Sequence, residues 1–183
     1  MATKSTASCY TTTMDDHYLI ISGTNRRQSN TSKVARLYEQ LLDKKSVSHS
    51  YLSLEGWNWL ERSPGFEKME RELLIPANRY IFVVPEYNGS IPGVLKLMID
   101  ITDHRTVWQG KKALLTGVST GRAGNLRGME HMTGILHYLK VHVHPNKLPI
   151  SAVDKLLDAS GTITEQSTLH AINTQIDEFI NFN

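Results

Sequence analysis

The chain is poor in several things, and each shortage removes a class of protein. It has a single cysteine, Cys9. Neither a disulfide framework nor a cysteine-built metal site can form within one chain. Hydrophobic residues make up 40% of its 183 residues, yet no apolar run reaches the about 20 residues that a membrane-spanning helix needs. The N-terminus carries no apolar h-region, so the sequence reads as cytoplasmic and not bound for a membrane. Net charge is only +2, and the basic residues are scattered, which argues against nucleic acid as a partner. Neither G-x-x-x-x-G-K-[ST] nor G-x-G-x-x-G occurs; the nucleoside-triphosphatase and dinucleotide fingerprints are both missing. There is no internal repeat. Residues 1–17 are rich in Ser and Thr without periodicity. They are expected to form a disordered tail, with Met14 a candidate alternative start, ahead of one domain over residues 18–183.

What is present is a series of short apolar runs that alternate with amphipathic segments. Tyr18–Ser22 (YLIIS), residues 81–84 (IFVV) and residues 112–117 (KKALLTG without its first lysine) read as strands buried on both faces. Residues 47–54 and 140–144 mix or alternate apolar and polar residues, as edge strands do. Helices are expected between them. One carries Val34, Leu37, Tyr38, Leu41 and Leu42 on a face, the next Val94, Leu97, Met98 and Ile101. Two more carry Met129, Met132, Leu136 and Leu139, then Leu169, Ile172, Ile176, Phe179 and Ile180. Five strands alternating with helices predict an α/β fold, three-layered and doubly wound, with a parallel five-stranded sheet of order 2-1-3-4-5. Its switch point lies between the first and third strands. Trp57 and Trp59 fall in a loop at 55–65 and are expected to pack partly against the core.

Three polar loops follow the three central strands, at the sheet edge where such folds bind ligands. The first contains Gly23, Thr24, Arg26, Ser29, Asn30 and Thr31. Backbone N–H groups at a helix N-terminus attract an anion, hydroxyls add donors, and an arginine can clamp two oxygens. The same stretch also reads as a plain turn with a Ser or Thr N-cap. The second loop is Pro85, Glu86, Tyr87, Asn88, Gly89 and Ser90. Pro85 ends its strand, and Pro92 suits the first turn of a helix. The third contains Ser119, Thr120, Gly121, Arg122 and Gly124. His142 and His144 share a strand face without a nearby carboxylate or cysteine, so they read as solvated edge residues and no metal site is expected.

The third loop also fits G-x-S-x-G at residues 117–121. With Asp154 or Asp158 and then His170, it would give a serine hydrolase with Ser119 as nucleophile. Against this, Gly121 and Gly124 delay the helix that a nucleophile elbow enters directly, and no HGGG-type oxyanion motif precedes it.

The stretch PEYNGSIPGVLKLMID, residues 85–100, resembles the flavin-contacting loop of the NADPH-dependent FMN reductase family, which has a flavodoxin-like fold. The family's first loop reads approximately Gly-Ser-x-Arg-x-x-Ser-x-Asn; Gly23, Thr24, Arg26, Ser29 and Thr31 fall on those positions, with Thr24 and Thr31 departing from the commonest residues. Its third loop, often Gly-x-Ser-x-Gly-x-x-Gly, is matched by Gly117, Ser119, Gly121 and Gly124. Thr120 stands where many members have proline. The resemblance covers residues 18 to 180. It implies FMN as cofactor and NADPH or NADH as electron donor, with hydride passing to the flavin and on to a quinone, free flavin, azo compound or metal oxyanion. The flavin carries the chemistry, so no catalytic side chain is implied. The implied cofactor contacts are Thr24, Arg26, Ser29, Asn30 and Thr31 on the phosphate; Pro85, Glu86, Tyr87, Asn88, Gly89 and Ser90 along the ring; and Ser119, Thr120, Gly121 and Arg122 at its pyrimidine edge or the second substrate. A homodimer or homotetramer is implied as well. A flavin-binding protein without turnover is the remaining alternative; the mild basicity weighs against a dedicated electron carrier, since such carriers are usually strongly acidic.

Overall fold

A computed structural model describes residues 16–183. The tail expected at 1–17 lies outside the described residues except for Asp16 and His17. Both are tied in: Asp16 accepts from Arg79 Nε at 2.7 Å, and the His17 ring lies 2.9 Å from the Ser50 hydroxyl.

The sheet is built from β1 (Tyr18–Ser22), β2 (His49–Ser53), β3 (Arg79–Pro85), β4 (Lys112–Val118), β5 (His142–Val143) and β6 (Leu148–Ile150). All pairings are parallel, in the order β2-β1-β3-β4-β5, with β6 also on β4. This is the flavodoxin-like order that the alternation of segments predicts. β3 is buried at every residue, as is β1, because helices cover both faces. On one side lie α2 (Pro64–Met69, running into a π-helical turn at Glu70–Leu74), α3 (Gly93–Ile101), α4 (His104–Val107) and α5 (Leu126–Tyr138). On the other lie α1 (Asn30–Lys44), α6 (Val153–Leu156) and α7 (Gln166–Ile180). Alternate residues of each strand feed the two cores: Leu19, Ile21, Tyr80 and Phe82 one, Tyr18, Ile20, Ile81 and Val83 the other.

Several details depart from the sequence pattern. The fifth sheet position is two short strands, β5 within the segment expected at 140–144 and β6 beyond it. Residues 144–147 connect β5 to β6, and His144 is buried there, its ring edge-on to Phe182 at 4.9 Å. It is therefore not a solvated edge residue. Only His142 remains exposed. Burial lowers the His144 pKa, keeping the ring neutral. Helix α3 is rolled by one residue from the expected face. It buries Leu95, Met98 and Ile99 and leaves Val94, Leu97 and Ile101 only partly covered. Trp59 is buried, and its indole N–H donates to the Leu54 carbonyl at 3.1 Å, whereas Trp57 is exposed. Gln175, on the inner face of α7, is fully buried. Its carboxamide oxygen accepts from Tyr38 Oη at 2.6 Å and Thr116 Oγ1 at 3.0 Å, and its nitrogen donates to the Leu115 and Asn146 carbonyls. Burial pushes the Tyr38 phenol pKa far up, so it stays a neutral donor. This network ties α1, β4 and α7 together with every polar atom partnered, the condition for carrying such a group in a core.

Candidate cofactor cleft

The carboxyl ends of β1, β3 and β4 lie in register, Ser22 beside Val83 and Pro85 beside Val118. The loops that leave them enclose a cleft of about 570 Å³, within the about 300–1,000 Å³ usual for small-molecule sites.

The first wall is the β1–α1 loop. Gly23 lies so close to its neighbours that a Cβ there would sit 3.1 Å from both the Val83 carbonyl oxygen and Leu95 Cδ2. Ser29 is the N-cap of α1: its Oγ accepts from the Ser32 N–H at 3.0 Å. Asn30 and Thr31, the first residues of that turn, line the cleft and carry two further N–H groups. They are donors that a helix cannot satisfy internally. The helix dipole adds partial positive charge at the same place.

The second wall is the turn after β3. Tyr87 and Ser90 exchange backbone hydrogen bonds, Tyr87 N–H to Ser90 O at 2.9 Å and Ser90 N–H to Tyr87 O at 3.1 Å. The two residues between them, Asn88 and Gly89, have φ of 52° and 76°. A two-residue turn with positive φ at both positions is what Asn-Gly is suited to. The Tyr87 hydroxyl lies 2.6 Å from Thr24 Oγ1, and the Arg26 guanidinium stacks on the Tyr87 ring, 4.1 Å from its centroid. These contacts join the first two walls and set the course of Arg26.

The third wall follows β4. Ser119 Oγ donates to the Gly121 carbonyl at 3.1 Å. The Ser119 N–H donates to Ile150 O, while Ala152 and Val153 donate to the carbonyls of Gly121 and Ser119. Gly117 and Gly124 are packing positions. A Cβ on Gly117 would stand 2.1 Å from the Gly124 carbonyl oxygen, and one on Gly124, whose φ is +54°, would stand 2.6 Å from Pro149 Cβ. Asn125, buried and left-handed at φ 65°, caps α5 through its Oδ1 to the Gly128 N–H, and its Nδ2 donates to the Val84 carbonyl at 2.9 Å. That bond ties the third wall to the strand that carries the second.

Most of the residues named from sequence meet at this cleft. Arg26, Ser29, Asn30, Thr31, Pro85, Glu86, Tyr87, Asn88, Gly89, Ser119, Thr120 and Gly121 line it; Thr24, Ser90 and Arg122 do not. Thr24 is buried beneath the floor with its hydroxyl engaged by Tyr87 and the Arg26 N–H. Ser90 turns to α5, its Oγ 2.8 Å from His131 Nδ1. Arg122 is exposed outside the cleft. The sequence reading missed Arg27 and Gln28, which flank named positions in the same loop, and Val118 and Val153. Val153 had no local signal, since it arrives from α6 through the long-range bond to Ser119. The hydrolase arrangement is not assembled: Ser119 points at Gly121, Asp158 is engaged by Ser160 and Thr162, and His170 is exposed on α7.

The donor set fits a phosphorylated, planar cofactor. One end has the N-terminus of α1 with the hydroxyls of Ser29 and Thr31, the other the Tyr87–Ser90 turn, and Arg26 lies against the Tyr87 ring in the same cleft. The model for NADPH-dependent FMN reductases matches residues 17–154. Among curated proteins, a 2-hydroxy-1,4-benzoquinone reductase from a Burkholderia species is 25% identical over 87% of this chain and 92% of its own length. The NAD(P)H-dependent FMN reductase PA1204 of Pseudomonas aeruginosa is 33% identical over 62% of each chain. Among solved structures, the apo form of an NADH:FMN oxidoreductase (EMOB) superposes with a TM-score of 0.75 at 21% identity, covering 91% of this chain and 89% of that one. The chain belongs to the NADPH-dependent FMN reductase family. It is an FMN-dependent oxidoreductase that draws on NAD(P)H.

The packing at Gly117 gives a direct test. Gly117→Ala forces a methyl against a backbone carbonyl that has no room to retreat. We expect it to destabilise the fold by about 1–3 kcal/mol or more, read as a lower denaturant midpoint. An unchanged midpoint would show that the third wall is not braced there.

Proposed function

We propose that the cleft holds FMN with its phosphate at the β1–α1 loop and its ring against the Asn88-Gly89 turn and residues 119–121, and that a quinone is the electron acceptor. The observation that carries this reading is the pairing of the capped N-terminus of α1 at one end with a type I′-like turn at the other, with Arg26 lying against Tyr87 in the cleft they share. Arg26, Ser29, Asn30 and Thr31 would neutralise and bind the phosphate. The N–H groups of Asn88 and Gly89 would serve the polar edge of the ring. Bound FMN supplies the hydride chemistry; the chain's part is to hold it, orient it and keep one face open. Quinone is favoured by the 2-hydroxy-1,4-benzoquinone and quinone reductases among the relatives; free flavin, azo compounds and metal oxyanions remain as other acceptors of the same two electrons. Cytoplasmic residence is part of the proposal. Among the described residues no helix is long and apolar enough to cross a membrane.

The same reading takes the enzyme as a homodimer or a homotetramer. A groove of about 990 Å³ runs between α3 and α5, with Ile99, Ile135 and Leu139 in its lining and Lys96, Asp100 and Arg105 around it. Tyr138 beside it is 87% exposed. Apolar surface edged by charges of both signs suits a self-complementary two-fold contact. The Ser90–His131 bond carries that surface to the back of the Tyr87 turn.

Two measurements check the proposal. Arg26→Ala with Ser29→Ala should weaken FMN binding by tenfold or more, since charge-assisted bonds contribute about 1.5–3 kcal/mol each; unchanged affinity in a fluorescence titration would remove the phosphate assignment. Light scattering at micromolar concentration should give two or four chains, and Ile135→Asp with Tyr138→Asp should lower the mass. A wild-type monomer would contradict the assembly.

A further inference from the structure

The Tyr87–Ser90 turn is held from behind by α5. Asn125, at the head of that helix, donates to the Val84 carbonyl at 2.9 Å, just before the turn begins. Two side chains further along reach the turn itself. A Cβ on Gly89 would stand 3.9 Å from Arg127 Nη1. His131 Nδ1 lies 2.8 Å from the Ser90 hydroxyl. Arg127 and His131 are four residues apart, so they share one face of α5.

Ser90 is the residue on which such a contact has leverage. Its backbone N–H and carbonyl are both taken by Tyr87, at 3.1 and 2.9 Å. Those two bonds close the turn, and the hydroxyl is the remaining polar group of the residue. A partner on the hydroxyl therefore holds the closing residue, and with it the direction of the Asn88 and Gly89 N–H groups. The turn needs holding. Asn88 is exposed, and it carries a side chain at φ 52°, a region such residues adopt rarely. A turn closed by two hydrogen bonds and exposed at its tip belongs to the part of a fold that opens most readily. The link survives titration of the ring, because a serine hydroxyl donates to a bare imidazole nitrogen and accepts from a protonated one. It is a brace and not a pH switch. His131 is otherwise exposed on α5, in the lining of the groove beside α3, so core packing does not dictate an imidazole there.

We propose that His131 is a positioning residue for the reaction: acting through Ser90, it fixes the Asn88-Gly89 donors that meet the flavin ring. The inference rests on the reading of the cleft as the FMN site. Electron density arriving on the ring is stabilised by donors already aimed at its polar edge. Donors on a turn that swings lose that advantage, and the cofactor must then order the turn as it binds. Loss of the imidazole thus weakens FMN binding, although His131 touches neither cofactor nor substrate.

The test compares the wild type with His131→Ala, His131→Asn, Ser90→Ala and the His131→Ala/Ser90→Ala double variant. Alanine favours a helix and asparagine does not, so a purely structural effect on α5 would favour His131→Ala. The proposal gives the opposite order, because an asparagine carboxamide carries its polar atoms one bond beyond Cγ, as Nδ1 is. In fluorescence titrations of the apoprotein, His131→Ala should bind FMN about three- to tenfold more weakly, the worth of one net hydrogen bond. His131→Asn should recover most of that loss. The double variant should lose no more than either single one, as a shared contact requires. In the apoprotein without flavin, the Tyr87 and Ser90 amides of His131→Ala should exchange with deuterium about three- to tenfold faster than in the wild type, followed by nuclear magnetic resonance. Unchanged exchange, additive losses, or His131→Asn no better than His131→Ala would overturn the proposal. So would wild-type FMN affinity in His131→Ala. If the wild type itself takes up no FMN, the flavin reading fails, while the exchange rates still decide whether His131 holds the turn.

Discussion

The structure depends on the pairing of β3 with β1 on one side and β4 on the other, all parallel and in register. Parallel strands expose no amphipathic face; they require apolar cover on both sides and crossover helices to supply it. Once those three strands are side by side, their carboxyl ends lie on one edge, and the chain must leave that edge three times as loops. The cofactor cleft is the space those departures leave at the switch point between β1 and β3. The cores hold the strands; the loops are free to carry chemistry.

The loops are not left loose. Asn125 donates to the carbonyl of Val84 at the end of β3, Tyr87 lies against Thr24 beyond the end of β1, and Ser119 is hydrogen bonded to Ile150 in β6. The first two join neighbouring walls, and the third ties the last wall to the sheet. Each net hydrogen bond is worth about 0.5–1.5 kcal/mol, small beside the apolar burial of the two cores. Their role is positional: they hold donors at fixed places, so less ordering is required on binding. Arg26 on the Tyr87 ring is the clearest case, a flexible cation given one direction by an aromatic face.

The parts legible in the sequence are those with local causes. YLIIS and IFVV are buried strands because nothing polar interrupts them, Asn88-Gly89 is a tight turn because only such residues accept positive φ twice, and Ser29 caps α1 with its own hydroxyl. What escaped has distant causes. β6 is three residues including a proline, and it becomes a strand only because β4 offers an open edge. His144 is buried by Phe179 and Phe182 from the far end of the chain. In the one-residue roll of α3, Leu95 turns inward to where a Cβ on Gly23 would stand 3.1 Å from its Cδ2, a contact that the helix's own periodicity does not announce. Gln175 looks polar and therefore solvent-facing, until Tyr38 and Thr116 come within reach. Of the site, the loop residues were legible through their motifs. That Thr24, Ser90 and Arg122 would not face the cleft was set by partners on other loops and on α5, which no single stretch of sequence reveals.

The most direct test of the account compares FMN with riboflavin in equilibrium titrations of the apoprotein, followed by flavin fluorescence. The two ligands share the ring and ribityl chain and differ by the phosphate. If the β1–α1 loop is the phosphate seat, FMN should bind more tightly by at least about tenfold, the worth of one charge-assisted contact, and the advantage should shrink as salt is raised. Equal affinity for the two would mean that the capped N-terminus of α1 and Arg26 do not hold a phosphate, and the assignment of the cleft would fall with it.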